Sequence, residues 1–144
     1  MTILVDADAC PVKEIILKVA KSKKIPVVMV IDTSHQINDG YSEVIQVDKA
    51  DDSVDIALIN KTNKGDIVVT QDYGVATLAL SKGAKAINQN GLIFTENNID
   101  GLLFERHIGK KVRRGGGRTQ SIPKRTSQDD ERFEKALLNL ISIV

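Results

Sequence analysis

The sequence predicts an α/β fold with a central, mostly parallel sheet and helices on both of its faces. Two observations support this prediction. Short runs of aliphatic, often β-branched residues recur along the chain, as expected for strands buried on both faces. Between these runs lie segments whose apolar residues recur at helical spacing, an alternation typical of parallel sheets. At 144 residues, the chain is predicted to be a single domain (1–144), too short for a complete TIM barrel.

The first half of the chain contains three predicted strands and one helix. Residues 3–5 are a short aliphatic run, which predicts a buried strand. Pro11 suits the first turn of a helix, and residues 12–23 place apolar side chains at helical spacing. Residues 27–31 are the clearest buried strand, and residues 44–47 are predicted to be a short strand after a polar, turn-containing stretch.

The alternation continues in the second half of the chain. Residues 51–61 and 73–81 have apolar positions at helical spacing, and Gly83 is suited to end the second of these helices. Residues 67–70 and 84–87 are apolar runs, so we expect two more strands.

Three further segments complete the predicted domain. Residues 98–108 are predicted to form a helix, and residues 109–126 a basic, glycine-rich loop. Residues 128–143 have the spacing of an amphipathic C-terminal helix. Its apolar side is expected to pack on the body of the protein or on a second subunit, and the latter would make a homodimer.

Positive charge is concentrated in one segment. Between Arg106 and Arg125 there are eight Lys or Arg residues and no Asp or Glu, although the whole chain has a net charge of only +1. Such a segment suits a polyanion, with nucleic acid as the first candidate. The alternatives are a solvated loop and a loop that docks on the protein's own acidic surface. The predicted nucleic-acid contacts are Lys13, Arg106, Lys110, Lys111, Arg113, Arg114 and Arg118.

Composition excludes several other classes of protein. The single cysteine rules out an internal disulfide and a cysteine-rich zinc site. The first residues lack the basic and apolar regions of a signal peptide, and no apolar run has the roughly 20 residues of a membrane helix. We therefore expect a cytoplasmic protein without a membrane partner.

Acidic residues recur where the predicted strands end and where one helix begins. In an open parallel sheet, ligands bind at the carboxyl ends of the strands, so acids from distant segments are expected to meet there. Oxygen ligands of this kind suit Mg²⁺ or Mn²⁺, which would activate a water towards a phosphodiester. These acids are Asp6, Asp8, Asp51, Asp52, Asp55 and Asp72.

Most of these acids also have a purely structural interpretation. Asp51 or Asp52 could cap the helix 51–61, and Asp72 could cap the helix 73–81. Asp55 fits a solvated helix position. Asp6 and Asp8 are harder to explain in this way, because two acids after a buried strand are costly unless they are paired or liganded.

Several motifs together resemble a known family. The sequence contains Val5-Asp6-Ala7-Asp8-Ala9-Cys10-Pro11-Val12, Ala50-Asp51-Asp52, Val69-Thr70-Gln71-Asp72 and Gly115-Gly116-Gly117-Arg118-Thr119. In this order they resemble the YaiI/YqxD family of uncharacterised bacterial proteins, which is similar to PIN/NYN-like nuclease domains. The resemblance implies a three-layer PIN-like fold. It also implies metal ligation by Asp6, Asp51 or Asp52, and Asp72, with Asp8 close by.

Three functions are consistent with the sequence. The first is a Mg²⁺- or Mn²⁺-dependent nuclease acting on RNA rather than DNA, with Asp6, Asp8 and Asp72 as catalytic residues. The few aromatic residues favour contacts to the nucleic-acid backbone over base stacking. The second is a haloacid-dehalogenase-type phosphatase, in which Asp6 of the Asp-x-Asp motif would be the nucleophile. The third is a non-catalytic nucleic-acid-binding module.

Overall fold

The fold is a three-layer α/β/α arrangement around one six-stranded sheet. The computed structural model describes residues 1–8, 10–33, 36–50, 52–114 and 124–142, with side chains in the fourth range described as far as residue 105. The elements, in chain order, are β1 (Ile3–Asp6), α1 (Lys13–Lys23), β2 (Val27–Asp32), β3 (Glu43–Val47), α2 (Ser53–Lys61), β4 (Ile67–Val69), α3 (Tyr73–Ser81), β5 (Lys85–Ile87), β6 (Ile93–Phe94), α4 (Glu96–Arg114) and α5 (Ser127–Ser142).

The sheet is parallel except for one edge strand. Its strand order is β3-β2-β1-β4-β5-β6, and only the last pair, β5 with β6, runs antiparallel. This confirms the predicted α/β class with a central, mostly parallel sheet. The strand β6 was not predicted, because two residues are too few to show a periodic pattern.

The two faces of the sheet are covered by different helices. Ile3 and Val5 of β1 pack in one buried cluster with residues of α1 and α5, whereas Leu4 packs on the other face with residues of α2, α3 and α4. Since these three strand residues have no exposed surface, β1 is buried on both faces. A continuous apolar run is the pattern that such a strand requires.

The chain builds the sheet outward in one direction from β1 and in the opposite direction from β4. From β1 the chain moves outward to β2 and then β3, and it returns through α2 to place β4 on the other side of β1. Because α1 and α2 cover opposite faces, a crevice opens at the carboxyl ends of β1 and β4. Ligands of open α/β sheets bind at this kind of switch point.

The bounds of several predicted elements differ from the structure, and two of these differences bear on the site. The start of the predicted loop 109–126 is wrong, because α4 continues to Arg114. The helix extends into the basic segment because Lys and Arg are good helix formers and are favourable near a helix C-terminus. Residues 115–123 lie outside the described residues. The helix predicted over 51–61 begins at Ser53, because Asp52 has a left-handed backbone with φ 65°.

The C-terminal helix α5 packs on the protein's own sheet. Phe133, Leu137 and Leu140 are buried in the cluster shared with β1 and α1, so the apolar side of the predicted helix 128–143 is placed as expected. The homodimer through this helix stays a prediction. Over the part of the chain that is described, no helix combines the length and apolar character needed to cross a bilayer.

Candidate acidic site at the ends of β1 and β4

Thr70 connects Asp6 and Asp72, the acids at the carboxyl ends of β1 and β4. Asp6 is the last residue of β1, and Thr70 follows β4 with only 2% of its surface exposed. The Thr70 hydroxyl donates to Asp6 Oδ2 at 3.3 Å and accepts from the backbone N–H of Asp72 at 3.0 Å. Residues 64 positions apart are therefore held together, as the parallel sheet predicted.

Asp72 also caps α3. Its Oδ1 accepts a hydrogen bond from the backbone N–H of Val75 at 3.0 Å, and this is the N-cap geometry that satisfies an unpaired donor in the first helical turn. The structural interpretation of Asp72 is thus correct. It does not exclude a second role, because a carboxylate has two oxygens and only Oδ1 makes the capping bond.

Burial and the neighbouring acids raise the pKa of Asp6. The pKa of Asp6 rises from its usual 3.8 to about 6, first because the carboxyl is partly buried and then because of the charge of Asp55, with smaller effects from Asp8 and Asp72. The hydrogen bond from Thr70 acts in the opposite direction. The two hydrogen bonds of Thr70 place Asp6 and Asp72 at the same edge of the sheet, as predicted.

Two further acids approach from α2. Burial raises the pKa of Asp55, and the charges of Asp72 and Asp52 raise it further. Asp52 precedes α2 but makes no side-chain capping hydrogen bond, so the capping alternative fails for this residue. Its positive φ is uncommon for a residue other than glycine and occurs most often for Asn and Asp. Asp51 lies outside the described residues.

Asp8 faces the neighbouring strand β2. Its carboxylate accepts from the backbone N–H of Asp32 at 3.3 Å through Oδ2 and at 3.4 Å through Oδ1. Lys13 lies nearby, because its Nζ donates to the carbonyl of Ala7 at 3.5 Å. The first turn of α1 thus places an ammonium group near Asp6 and Asp8, where it can contact an anionic ligand.

Two glutamines line the cavity beside Asp6 and Asp8. This small cavity has a volume of about 60 Å³, and its lining includes Gln71 and Gln89. No sequence motif identified Gln89. The available signal was its position two residues after a predicted strand, since residues after the ends of parallel strands converge on one edge.

Arg125 fixes the end of the basic segment close to this cavity. Its guanidinium donates to the carbonyl of Gln89 at 2.8 Å, to Asn90 Oδ1 at 2.9 Å and to Asp130 Oδ1 at 2.8 Å. Arg125 is therefore a structural anchor. The side chains of Arg106, Lys110, Lys111, Arg113, Arg114 and Arg118 lie outside the described part of the structure.

The donor chemistry of the site fits a hard divalent cation. Among the residues whose side chains are described, no three His, Cys, Asp or Glu side chains form a group that could hold a metal ion by themselves. Mg²⁺ commonly binds through one or two carboxylates and takes its remaining ligands from water and substrate phosphate. Asp6 and Asp72 meet this smaller requirement, and the mutual repulsion of the acids is what a cation would relieve.

Fold and site together define a three-layer α/β protein with an acidic crevice at a topological switch point. Comparison of sequences then identifies its family. Residues 4–143 match the family described as "Uncharacterized BCR, YaiI/YqxD family", and the chain belongs to this family. The resemblance drawn from the motifs is thereby confirmed.

Relatives of the chain are similar over nearly their whole length. The UPF0178 protein of Ruminiclostridium cellulolyticum is 69% identical over 141 residues, which are 98% of this chain and 92% of that protein. The UPF0178 protein of Alkaliphilus oremlandii is 55% identical, with 98% and 91% covered. Among solved structures, Rae1 (YacP) from Bacillus subtilis aligns over 100% of both chains with a TM-score of 0.46 and 16% identity. The names of the two sequence relatives state no activity, so function has to be argued from the site.

Proposed function

We propose that the protein is a Mg²⁺- or Mn²⁺-dependent nuclease that hydrolyses phosphodiester bonds, with RNA preferred over DNA. The observation that carries the proposal is the meeting of Asp6, Asp55 and Asp72 at the switch point, where burial first, and then the charges of the neighbouring acids, raise the pKa of Asp6 to about 6. Two unit charges about 5 Å apart repel by on the order of 3 kcal/mol at an effective dielectric constant of 20. A site that retains such repulsion is suited to a cationic ligand.

The residues that would hold the cation are Asp6 and Asp72, with Asp52 and Asp55 at the same crevice. Asp51, which the family resemblance offers as an alternative ligand, is part of the same proposal. When bound, a divalent cation polarises a phosphodiester and lowers the pKa of a coordinated water. Both effects promote hydrolysis at neutral pH.

The protein's own groups have separate tasks in this proposal. Thr70 keeps the carboxylate of Asp6 and the backbone of Asp72 in one geometry through its two hydrogen bonds. The amides of Gln71 and Gln89 line the cavity beside Asp6, where they can orient a water. Lys13 would offer an ammonium group to a phosphate oxygen, and Asp8 would take the proton that the attacking water loses.

The basic segment 106–125 is proposed to bind the nucleic-acid backbone. Its charge favours a polyanion, and Arg125 anchors one end of the segment beside Gln89, which lines the cavity of the acidic site. Binding through phosphate contacts weakens as salt rises, because bound counterions are released. We therefore expect the affinity for single-stranded RNA to fall steeply between 50 and about 200 mM salt.

Calorimetric titration with Mn²⁺ tests the proposal on the wild type, Asp6→Asn and Asp72→Asn. Asn retains the helix cap at position 72, so loss of binding in Asp72→Asn reports on ligation rather than folding. Asp100→Asn removes an exposed acid on α4 and serves as the matched control that keeps wild-type affinity. Saturable binding lost in both site variants, followed by Mn²⁺-dependent cleavage of RNA, is the expected result.

Two outcomes would contradict the nuclease. Absence of Mn²⁺ binding by the wild type at millimolar concentration, with and without RNA, would remove the basis of the proposal. Mn²⁺ and RNA binding without cleavage of RNA or DNA would instead establish the non-catalytic binding module.

A further inference from the structure

An apolar groove of about 480 Å³ leads away from the acidic site between α2 and α3. Both helices begin at the edge of the sheet where the acids lie, so Asp52, Asp55 and Asp72 line the groove at the N-terminal ends of the helices. Further along, its walls are aliphatic. They are formed by Ile56, Ile59, Val75 and Leu78.

Two of the aliphatic side chains that form these walls are more than half exposed. Ile56 is 60% exposed and Leu78 is 52% exposed, and they face one groove from two different helices. Single exposed apolar residues are common, but a contiguous apolar surface rimmed by polar groups marks a binding site. Burying one such side chain fully is worth about 1.5–3 kcal/mol, so an occupant gains affinity from these walls.

Two local features determine the shape of the groove at its two ends. Lys82 Nζ, at the end of α3, donates to the carbonyl of Ile59 in α2 at 2.6 Å, which ties the two helices together at the far end. At the near end Gly74 has no side chain, and a Cβ there would lie 3.1 Å from Asp72 Oδ1. The space next to Asp72 is therefore kept free of protein side chains.

Charge determines which part of a nucleotide fits this space. The described side chains that line the groove include three carboxylates and no Lys, Arg or His. A phosphate in the groove would be repelled, whereas a nucleobase is neutral and has two apolar faces. Asn60, at the C-terminal end of α2, provides an amide with both donors and an acceptor, which can pair with the polar edge of a base.

We propose that the groove between α2 and α3 is the subsite that binds the base of the nucleotide next to the bond that is cleaved. This inference rests on the proposed nuclease function, because a phosphate held at the acidic site brings the neighbouring base to the mouth of the groove. The base lies between Ile56 and Leu78 and presents its edge to Asn60. A base inserted in this way is unpaired and unstacked from its own strand.

Binding of adenosine 5′-monophosphate and of ribose 5-phosphate in the presence of Mg²⁺ tests the subsite. Both ligands carry the same phosphate and sugar, and only the first has a base. By NMR titration of the ¹⁵N-labelled protein, we expect the nucleotide to bind about tenfold more tightly, which corresponds to roughly 1.4 kcal/mol. The amide signals of Ile56, Asn60 and Leu78 should shift with the nucleotide only.

Variants of the groove separate the subsite from the metal site. In Leu78→Asn and in Ile56→Asn, the tenfold preference for the nucleotide should fall to about twofold while the affinity for Mn²⁺ is unchanged. Both side chains are more than half exposed, so their loss leaves the core intact. Phe104→Asn, which changes a 64% exposed residue of α4, is the control and should retain the preference.

The results distinguish failure of the subsite from failure of the nuclease. Loss of Mn²⁺ binding in the wild type would refute the nuclease and the subsite that rests on it. Normal Mn²⁺ binding with equal affinity for the two ligands would overturn the base subsite alone. Self-association of the wild type that Leu78→Asn abolishes, without any base preference, would assign the groove to a second copy of the chain and also overturn it.

Discussion

Replacing Asp6 by Asn is expected to stabilise the protein at neutral pH in the absence of divalent cations. The folded state raises the pKa of Asp6 from 3.8 to about 6, mainly through burial and the charge of Asp55. The unfolded chain therefore loses this proton at lower pH than the folded chain does. As pH rises from about 4 to 6, the free energy of unfolding falls, and the full penalty is present above pH 6.

The size of the effect follows from the pKa change. A rise from 3.8 to about 6 corresponds to about 3 kcal/mol. Because the carboxyl is only partly buried, solvent screening reduces the expected gain of Asp6→Asn to about 1–2 kcal/mol. The amide oxygen of Asn can still accept the hydrogen bond from Thr70, so the variant removes the charge and retains this contact.

Urea denaturation with EDTA at pH 7.5 and pH 3.5 measures this gain. The difference between Asp6→Asn and wild type should be present at pH 7.5 and absent at pH 3.5. Asp66→Asn is a control in which the same type of substitution should destabilise the protein. Asp66 is buried and accepts hydrogen bonds from the backbone N–H groups of Thr2 at 3.0 Å and Asn63 at 2.8 Å. The free energy of unfolding of this variant should therefore fall by about 1–3 kcal/mol. Destabilisation by Asp6→Asn at pH 7.5, or a gain equal at both pH values, would refute the reasoning.

Three further substitutions test the described contacts. Thr70→Val removes the hydrogen bonds to Asp6 and Asp72 and should lower the free energy of unfolding by about 1–3 kcal/mol, as measured by urea denaturation. The loss of the hydrogen bond should also raise the pKa of Asp6 further. An unchanged ¹³C NMR titration of the Asp6 carboxyl would contradict the geometry. Phe133→Ala empties a fully buried position and should cost about 3–5 kcal/mol, so a loss below 1 kcal/mol would mean that α5 does not cover the sheet. In Gly91→Ala, an alanine would have to adopt a φ of +87°, and its Cβ would lie 2.8 Å from the backbone carbonyl oxygen of Arg132. The melting temperature should therefore fall by several degrees. An unchanged melting temperature would refute the close approach of Gly91 to Arg132.

The sequence predicted what depends on local pattern. Residues 3–5 and 27–31 were recognisable as strands because their side chains are buried on both faces of the sheet, which demands an unbroken apolar run. The meeting of Asp6 and Asp72 followed from one geometric rule, since parallel strands end at the same edge. Recognition of the strands did not need their order, but the contact of Asp6 and Asp72 through Thr70 also requires β4 to lie beside β1.

Other features depend on contacts that no local pattern encodes. The order of the strands places β4 beside β1, and nothing in either segment specifies that neighbour. Gln89 reaches the cavity of the acidic site only because β5 lies next to β4. The groove between α2 and α3 likewise arises from two helices packed side by side, and the exposure of Ile56 and Leu78 becomes visible only in the folded chain.

The position of α5 has a consequence for synthesis of the protein. Phe133, Leu137 and Leu140 cover one face of a sheet whose central strand is made at the very start of translation. The part of this face that α5 covers therefore stays exposed while more than a hundred residues are added after β1, for at least several seconds at about 5–20 residues per second. A chain that ends before residue 127 leaves the apolar side chains under α5 exposed to chaperones and proteases.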